Sequence, residues 1–364
     1  MERVAFLDYL RISANFLRLF IHAGVPYMVS VSPIWPVDDR GLLWVDFLIF
    51  LGHLFVMELF FMLSGFLFSI QLESMSRSEI LKNRFRRIVL PFVYGMLLMV
   101  PFVLMLFGLA KHPGNEWMGK EEITRAFQDG LQLGMKNFFP TAHLWFLYYL
   151  VGFYAITIVI PKDSIRSLMR KISPKAFFAA ACFLSFLCLL LNKRWMIENP
   201  LTLVPEISSF LHFFLFFISG MLLHGKPGNS FSAPVKLIIA GLLFGLLSAA
   251  CQLKFGKTAD LWYGQIKLLA CVTYAGGSWM LSIGTWYFFQ QRFRQSSSFI
   301  RWLAGGTYWI YLLSLPLVMF SHLLLRTYDF PVWQKLTLVF LLGGGIPLLL
   351  YTFKKKTDKS KISA

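Results

Sequence analysis

The chain has 364 residues, of which 57% are hydrophobic and 15% are charged, whereas a soluble domain carries roughly 25% charged residues. A water-soluble core of this size has no room for 39 Phe, 15 Met and 11 Trp. The formal net charge is +17, but the basic residues are scattered between long apolar runs. The composition therefore excludes a soluble enzyme, a disordered protein and a disulfide scaffold. It predicts a multi-pass membrane protein that contacts membrane lipids and no nucleic acid.

Helices that cross a bilayer need about 20 mostly apolar residues, and the sequence contains ten such runs. They are apolar on nearly all sides, which excludes the alternating strands of a barrel. All four cysteines lie in apolar runs without metal-ligand spacing, so we expect no metal site. We predict an all-α polytopic membrane helix bundle with ten transmembrane helices: Leu7–Val29, Val45–Ile70, Ile88–Leu109, His143–Ile160, Pro174–Leu191, Ile207–Leu223, Val235–Leu253, Ile266–Phe289, Trp302–Leu325 and Val332–Phe353.

The basic residues predict which side each loop occupies. Ten crossings place both termini on one side, and the termini and loops of that side together carry 22 Lys and Arg residues against 10 in the opposite loops. The positive-inside rule makes the basic side cytoplasmic. We therefore expect one membrane domain over residues 1–353 and a basic cytoplasmic tail over residues 354–364, and an amphipathic surface helix around Glu121–Met135.

The first predicted span carries a row of polar residues. Asp8, Arg11, Asn15, Arg18 and His22 recur at spacings of three and four, which places them on one face of a helix. Asp8 and Arg11 also suit interfacial anchors, and Arg18 and His22 suit partners of neighbouring helices. Ionisable residues within a span usually face the bundle interior, and a row of five indicates a functional site.

The second span adds a further polar cluster. His53 and Glu58 lie within it, and a carboxylate at this depth needs a partner or a proton. His22 and Arg18 of the first span are the candidate partners. Ser64 and Gly65 follow, and small residues allow close approach of helices in lipid. We favour that interpretation over a serine nucleophile.

A basic loop precedes the third span. Arg84 and Arg87 share a helical face just before Pro91. Cytoplasmic anchoring explains a basic loop, but it explains less well why two arginines stand at the mouth of this span. A forked guanidinium pair suits phosphate recognition.

Several motifs in order give the chain a resemblance to the integral-membrane acyltransferase type 3 family. They are Leu7-Asp8-Tyr9-Leu10-Arg11 with His22 ten residues beyond Arg11, the tract from Glu58 through Phe60-Phe61 to Ser64-Gly65-Phe66-Leu67, Arg84-Phe85-Arg86-Arg87 followed by Pro91, and His143-Leu144-Trp145-Phe146-Leu147. Within the family, the chain most resembles the glucan biosynthesis protein C branch, whose members are thought to succinylate periplasmic glucans. Late in the chain, Ser314 stands where many relatives carry His.

The resemblance implies transfer of an acetyl or succinyl group from cytoplasmic acyl-CoA to a hydroxyl of a periplasmic or cell-surface glycan, in the inner membrane of a bacterium. His22 is then the base or a transient acyl carrier, because imidazole has a suitable pKa. Asp8, Arg11 and Glu58 complete the predicted catalytic group.

The same resemblance assigns the substrate contacts. Arg84 and Arg87 would hold the CoA phosphates, and Arg11 and Arg18 would position the rest of the donor. His53, His143 and Trp145 are the candidates for acceptor contacts, although His53 also suits a partner of His22, and Trp145 suits an aromatic belt. No esterase-like domain is appended, so we expect a separate periplasmic or glycan-synthesis partner protein.

A transporter of protons, anions or a glycolipid is the main alternative. It would use the same buried polar residues, and Gly-rich or Pro-containing helices such as 343–347 suit discontinuous spans. Against this alternative, the sequence shows no repeated halves. A structural scaffold would leave the buried charges unexplained.

Overall fold

A computed structural model describes residues 4–30, 35, 37–38, 40–111, 119–136, 140–192, 195–200, 202–224, 231–255 and 262–362. Across these ranges the backbone is helical and contains no strand, which confirms the predicted all-α class. The helices are α1 (Ala5–Gly24), α2 (Leu43–His53), α3 (Val56–Ser74), α4 (Arg77–Arg84), α5 (Leu90–Tyr94), α6 (Val100–Ala110), α7 (Lys120–Lys136), α8 (Trp145–Val159), α9 (Lys162–Lys171), α10 (Pro174–Leu191), α11 (Ile207–His224), α12 (Pro234–Phe255), α13 (Tyr263–Arg292), α14 (Ser298–Leu325) and α15 (Val332–Ile362).

Within the described ranges, nine helical segments are long and apolar enough to cross a membrane. They coincide with the second to the tenth predicted spans, so the protein is a multi-pass membrane protein. The predicted first span corresponds to α1, whose 20 residues include the charged Asp8, Arg11 and Arg18. Its crossing of the membrane, and the side on which the termini lie, stay predictions.

The helices form two compact units. The first unit comprises Met1–Ile49, Tyr94–Leu144 and Phe293–Ala364, and the second comprises Phe50–Val93 and Trp145–Arg292. In the first unit, α1 packs against α14 and α15. Leu19, Ala23, Ile310, Val318 and Val339 form a buried apolar cluster there.

In the second unit, α3 and α11 approach each other as closely as two helices can. A Cβ atom on Gly65 would overlap the carbonyl oxygen of Phe217, and one on Gly220 would overlap that of Met62. Lipid supplies no hydrophobic drive between helices, so such small residues stabilise the pair by letting backbones touch. The interpretation of Ser64-Gly65 as a close-packing element is thereby confirmed for Gly65.

The predicted second span is not one continuous helix. α2 ends at His53 and α3 begins at Val56, and the turn between them is held by hydrogen bonds from the amides of Leu54 and Phe55 to the carbonyl oxygens of Phe50 and Gly52, at 3.1 and 3.4 Å. This break places Glu58 in the first turn of α3. The amide groups at a helix N-terminus carry partial positive charge, which favours a carboxylate there.

The predicted third span is longer and less regular than expected. The helical backbone runs from Arg77 to Ala110 and includes two π-helical segments, Phe85–Val89 and Gly95–Met99. Each segment precedes a proline, Pro91 or Pro101. Proline lacks the amide hydrogen of a regular helical bond and clashes with the preceding turn, which accounts for the local widening.

The remaining predicted elements lie close to their expected places. α7 confirms the helix predicted around Glu121–Met135; other residues of the stretch 110–142, namely 112–118 and 137–139, lie outside the described ranges. α15 continues through the basic residues that follow position 353, so the predicted tail begins as part of that helix.

Replacement of Gly65 tests the close contact between α3 and α11. Because a Cβ at position 65 would overlap the Phe217 carbonyl oxygen, we expect Gly65→Ala to lower the free energy of unfolding by about 1–3 kcal/mol. Thermal unfolding in detergent measures this change. Gly345→Ala is the matched control, because no atom lies within 4 Å of a Cβ built there. Equal melting temperatures for the two variants would contradict the packing described.

Candidate functional site

The polar face of α1 is graded in its exposure. Asp8, Asn15 and Arg18 are buried, with 3–4% of their surface exposed, whereas Arg11 and His22 are partly exposed. Asn15 Nδ2 donates to the carbonyl oxygen of Arg11 at 3.1 Å. The two residues of the predicted Arg-x10-His element are therefore the accessible members of the row, and the three others support them from within the protein.

Arg18 is held by α14. Its Nη2 atom donates to the carbonyl oxygen of Ile310 at 3.3 Å and to Oγ of Ser314 at 3.0 Å, and the guanidinium carbon lies 5.3 Å from the centre of the Tyr311 ring. Ser314 thus accepts a charge-assisted hydrogen bond. Among the described residues, no acceptor contacts Nε or Nη1 of Arg18, so these two donors can still bind a ligand oxygen.

His143 contacts α14 where Pro316 disrupts the helix. Pro316 has no amide hydrogen, which leaves the carbonyl oxygen of Leu312, four residues earlier, without its helical donor. His143 Nε2 lies 2.9 Å from that oxygen and must donate, because a carbonyl only accepts. Tyr311 in turn donates its hydroxyl to the carbonyl oxygen of His143 at 2.9 Å. His143 is 6% exposed, and its predicted contact with an acceptor stays a prediction.

His22 lies against an aromatic side chain of the following loop. The centroid of the Trp35 ring system is 6.1 Å from that of the imidazole, in an edge-to-face arrangement. Trp35 also meets Phe107 of α6 edge-to-face at 5.8 Å. The indole therefore connects the imidazole to the apolar core of the first unit.

Hydrogen bonds and an ion pair hold described residues that precede and follow Trp35 in the chain. The carboxylate of Asp46 accepts from the amides of Val29 and Ser30 at 2.8 and 2.9 Å. Further along, Lys335 Nζ lies 2.7 Å from a carboxylate oxygen of Asp38, and Lys335 is 4% exposed. Such a buried pair holds its two elements in register, because separating the charges leaves each uncompensated.

A second ion pair, which is exposed, joins Arg40 to the segment before α15. Arg40 pairs with Asp329 and donates to the carbonyl oxygen of Phe330. Exposed pairs contribute little to stability on their own. Their position matters more here, because each charged contact ties the loop to helices of the first unit.

In the second unit, Glu58 has a buried partner that the sequence analysis missed. Glu58 Oε1 lies 3.2 Å from His212 Nε2, and neither side chain is exposed. The rings of Phe213 and Phe216 surround the imidazole at 5.3 and 5.1 Å. A carboxyl and an imidazole in such an apolar enclosure stabilise each other and can exchange a proton.

Trp145 belongs to the aromatic core of the same unit. It is 4% exposed and lies 5.2 Å from Phe213 and 6.0 Å from Phe61 between ring centroids. The predicted alternatives, acceptor contact or aromatic belt, both stay predictions, because what the structure shows is packing inside the unit. His53 is partly exposed at the end of α2.

The two predicted phosphate-binding arginines differ in their surroundings. Arg84 is partly buried, donates to Oε1 of Gln71 at 2.5 Å and lies 4.4 Å above the Tyr154 ring. Arg87 is exposed within the π-helical segment. Arg84 is thus pre-positioned by neutral partners that leave its charge uncompensated, and Arg87 is accessible from water.

Three residues of the site were not predicted from the sequence. His212 is the only ionisable residue inside the predicted span Ile207–Leu223, so the rule that flagged Glu58 also applies to it. Lys335 stands at the start of an apolar run and Trp35 stands in a loop, and neither position carries a periodic signal. Only the folded structure brings them to Asp38 and His22.

A double-mutant cycle tests the Glu58–His212 contact. We expect Glu58→Leu and His212→Leu each to destabilise the protein by about 1–3 kcal/mol, because each leaves one buried polar partner unsatisfied. The double variant should be destabilised by much less than the sum of the two single variants, because both polar groups are absent. Thermal unfolding of the four proteins in detergent measures the coupling; purely additive effects would contradict the contact.

Comparison with known proteins agrees with these features. The model of the acyltransferase domain family matches residues 4–352, which include α1 and both units of the fold. No curated protein and no solved structure matches the chain. Because the family model extends over nearly the whole sequence, the match covers the membrane helices themselves rather than an appended part. The chain is a membrane acyltransferase and belongs to the acyltransferase type 3 family.

Proposed function

We propose that the protein transfers an acetyl or succinyl group from cytoplasmic acyl-CoA to a hydroxyl of a glycan on the far side of a bacterial inner membrane. The observation that carries this proposal is the graded polar face of α1. His22 and Arg11 are accessible there, and the buried Arg18 is fixed to α14 beside them. Membership of an acyltransferase family supplies the reaction class.

The chemistry needs a base for the acceptor hydroxyl. His22 takes the hydroxyl proton as the oxygen attacks the thioester carbonyl, the carbon–sulfur bond breaks, and the proton passes to the leaving thiolate to give free CoA and an ester. Positioned bases of this kind accelerate reactions by roughly 100- to 10,000-fold. A two-step reaction in which His22 carries the acyl group uses the same residue and the same leaving group.

The arginines suit the donor. Arg87 is exposed and Arg84 is held in place by Gln71 and Tyr154, so the two guanidinium groups can receive CoA phosphates on the predicted cytoplasmic side. On α1, Arg11 lies about three turns before His22 and Arg18 about one turn before it, at about 1.5 Å per residue. In this proposal, they contact the part of the donor that lies next to the imidazole.

The remaining predicted site residues have supporting roles in this proposal. Asp8 is buried on the same helix as His22 and keeps the polar face together. Glu58 with His212 provides a proton-exchanging pair, and His53 marks the break that precedes Glu58. His143 and Trp145 are the proposed acceptor contacts, and both are buried in the structure.

Transport remains the second candidate, and one observation favours it. The second span is broken between His53 and Val56 next to a buried carboxyl group, and transporters place ion sites at such discontinuous helices. A proton or anion could be bound there without any acyl donor. The two functions differ in one respect, because only the acyltransferase releases CoA.

Replacement of His22 tests its catalytic role. We expect His22→Ala to lower acyl transfer to the acceptor by roughly 100-fold or more, because the base is lost, while protein amount and melting temperature stay near wild type. Radiolabel in the acceptor at equal protein level measures this. Ser13→Ala is the matched control, because Ser13 is an exposed residue of the same helix. Wild-type transfer by the His22 variant would refute the assignment.

Replacement of both basic residues tests the donor site. We expect Arg84→Ala with Arg87→Ala to weaken acyl-CoA binding by tenfold or more, because a hydrogen bond to a charged group contributes about 1.5–3 kcal/mol. Arg86→Ala is the control, because Arg86 is an exposed arginine between the two. Titration of acyl-CoA against the purified protein gives the dissociation constant. Unchanged affinity would leave both residues as cytoplasmic anchors.

A further inference from the structure

We propose that Trp35 is an acceptor-binding residue of this protein, and that its indole ring stacks on a neutral sugar ring whose hydroxyl is presented to His22. This inference rests on the proposed function. The centroid of the Trp35 ring lies 6.1 Å from that of the His22 imidazole, in an edge-to-face arrangement. A sugar lying on the indole would therefore have a hydroxyl within reach of the base.

The indole is anchored on one side and accessible on another. Its contact with Phe107 at 5.8 Å and its packing against the core cluster around Val103 and Leu315 hold the ring. The residue is nevertheless only partly buried. An aromatic ring that is fixed by the core and still accessible provides a rigid binding surface at little cost in conformational entropy.

Described residues that precede and follow Trp35 along the chain make further contacts. The amides of Val29 and Ser30 bind the Asp46 carboxylate. Asp38 binds the buried Lys335 and donates its amide to the carbonyl oxygen of Pro26 at 3.0 Å. Trp35 itself is held by its contacts with Phe107 and the core cluster. A ring held in this way before substrate arrives is suited to orient a ligand.

The charges around Trp35 indicate a neutral ligand. The described acidic side chains of this loop region, Asp38 and Asp46, are engaged by Lys335 and by backbone amides, and Arg40 is engaged by Asp329. Anionic or cationic groups of a ligand would therefore meet no free opposite charge from these residues. The apolar C–H face of a pyranose ring fits an aromatic surface, and its hydroxyl groups point sideways toward the imidazole.

The position of the loop agrees with an acceptor rather than a donor. It follows α1 at the end opposite to Asp8, and the predicted topology makes that side extracytoplasmic. His22 is in the last turn of α1, directly before the loop. On this topology, a glycan outside the membrane meets Trp35 and His22 first.

Protection of His22 from chemical modification tests this binding directly. Diethyl pyrocarbonate acylates accessible imidazoles, and mass spectrometry of the His22 peptide gives the rate. With laminaripentaose, a neutral gluco-oligosaccharide, as the probe, we expect slower modification of His22 in the wild-type protein and no protection in Trp35→Ala. Trp35→Phe should retain most of the protection, because it keeps an aromatic surface. Trp333→Ala, at a tryptophan that is 67% exposed, should behave as wild type.

Steady-state transfer to the same oligosaccharide gives the second readout. We expect Trp35→Ala to raise the acceptor KM about tenfold and to leave the KM for acyl-CoA unchanged, at a melting temperature near wild type. No protection in the wild type, or protection retained by Trp35→Ala, would overturn the proposal. A raised KM for acyl-CoA alone would also overturn it, because Trp35 would then line the donor path. Protection without any release of CoA would uphold sugar binding by Trp35 and instead refute the proposed transfer.

Discussion

Every polar group that this chain carries into the membrane needs a partner within the protein, because lipid provides none. That constraint explains the arrangement of the first unit. Arg18 binds α14 through Ile310 and Ser314, and His143 supplies the donor that Pro316 removes from the same helix. Arg18 and His143 therefore both donate hydrogen bonds to the part of α14 that precedes Pro316. α1 is thereby fixed in rotation, with the accessible His22 one turn beyond Arg18.

The same constraint produces a different solution in the second unit. Glu58 and His212 satisfy each other in an apolar, aromatic enclosure, and the helices that carry them touch at Gly65 and Gly220. Close backbone contact makes the distance between the two side chains insensitive to small movements. Burial of only one member of such a pair would destabilise the fold. We therefore attribute to the pair a role in proton exchange or in fixing the broken second span.

Sequence patterns predicted the features that depend on one segment alone. The length and hydropathy of the runs gave the spans, and the spacing of Asp8 to His22 gave the polar face of α1, because helical periodicity is a local property. The break after His53 was not predicted, since it contains no proline and the apolar run continues through it, while the amide of Phe55 bonds the carbonyl oxygen of Gly52 three residues earlier. The pairing of Glu58 with His212, 154 residues apart, and the contact of Trp35 with His22 depend on how the chain folds. No local rule specifies them.

We propose that this membrane acyltransferase uses acyl-CoA as its donor and a glycan hydroxyl as its acceptor. The decisive experiment is incubation of the purified protein with labelled acetyl-CoA or succinyl-CoA, with and without glycan. We expect one thioester to release free CoA and its label to appear in the glycan in equal amount. Failure of the protein to bind or cleave either thioester would refute acyl transfer and favour transport through the same polar residues.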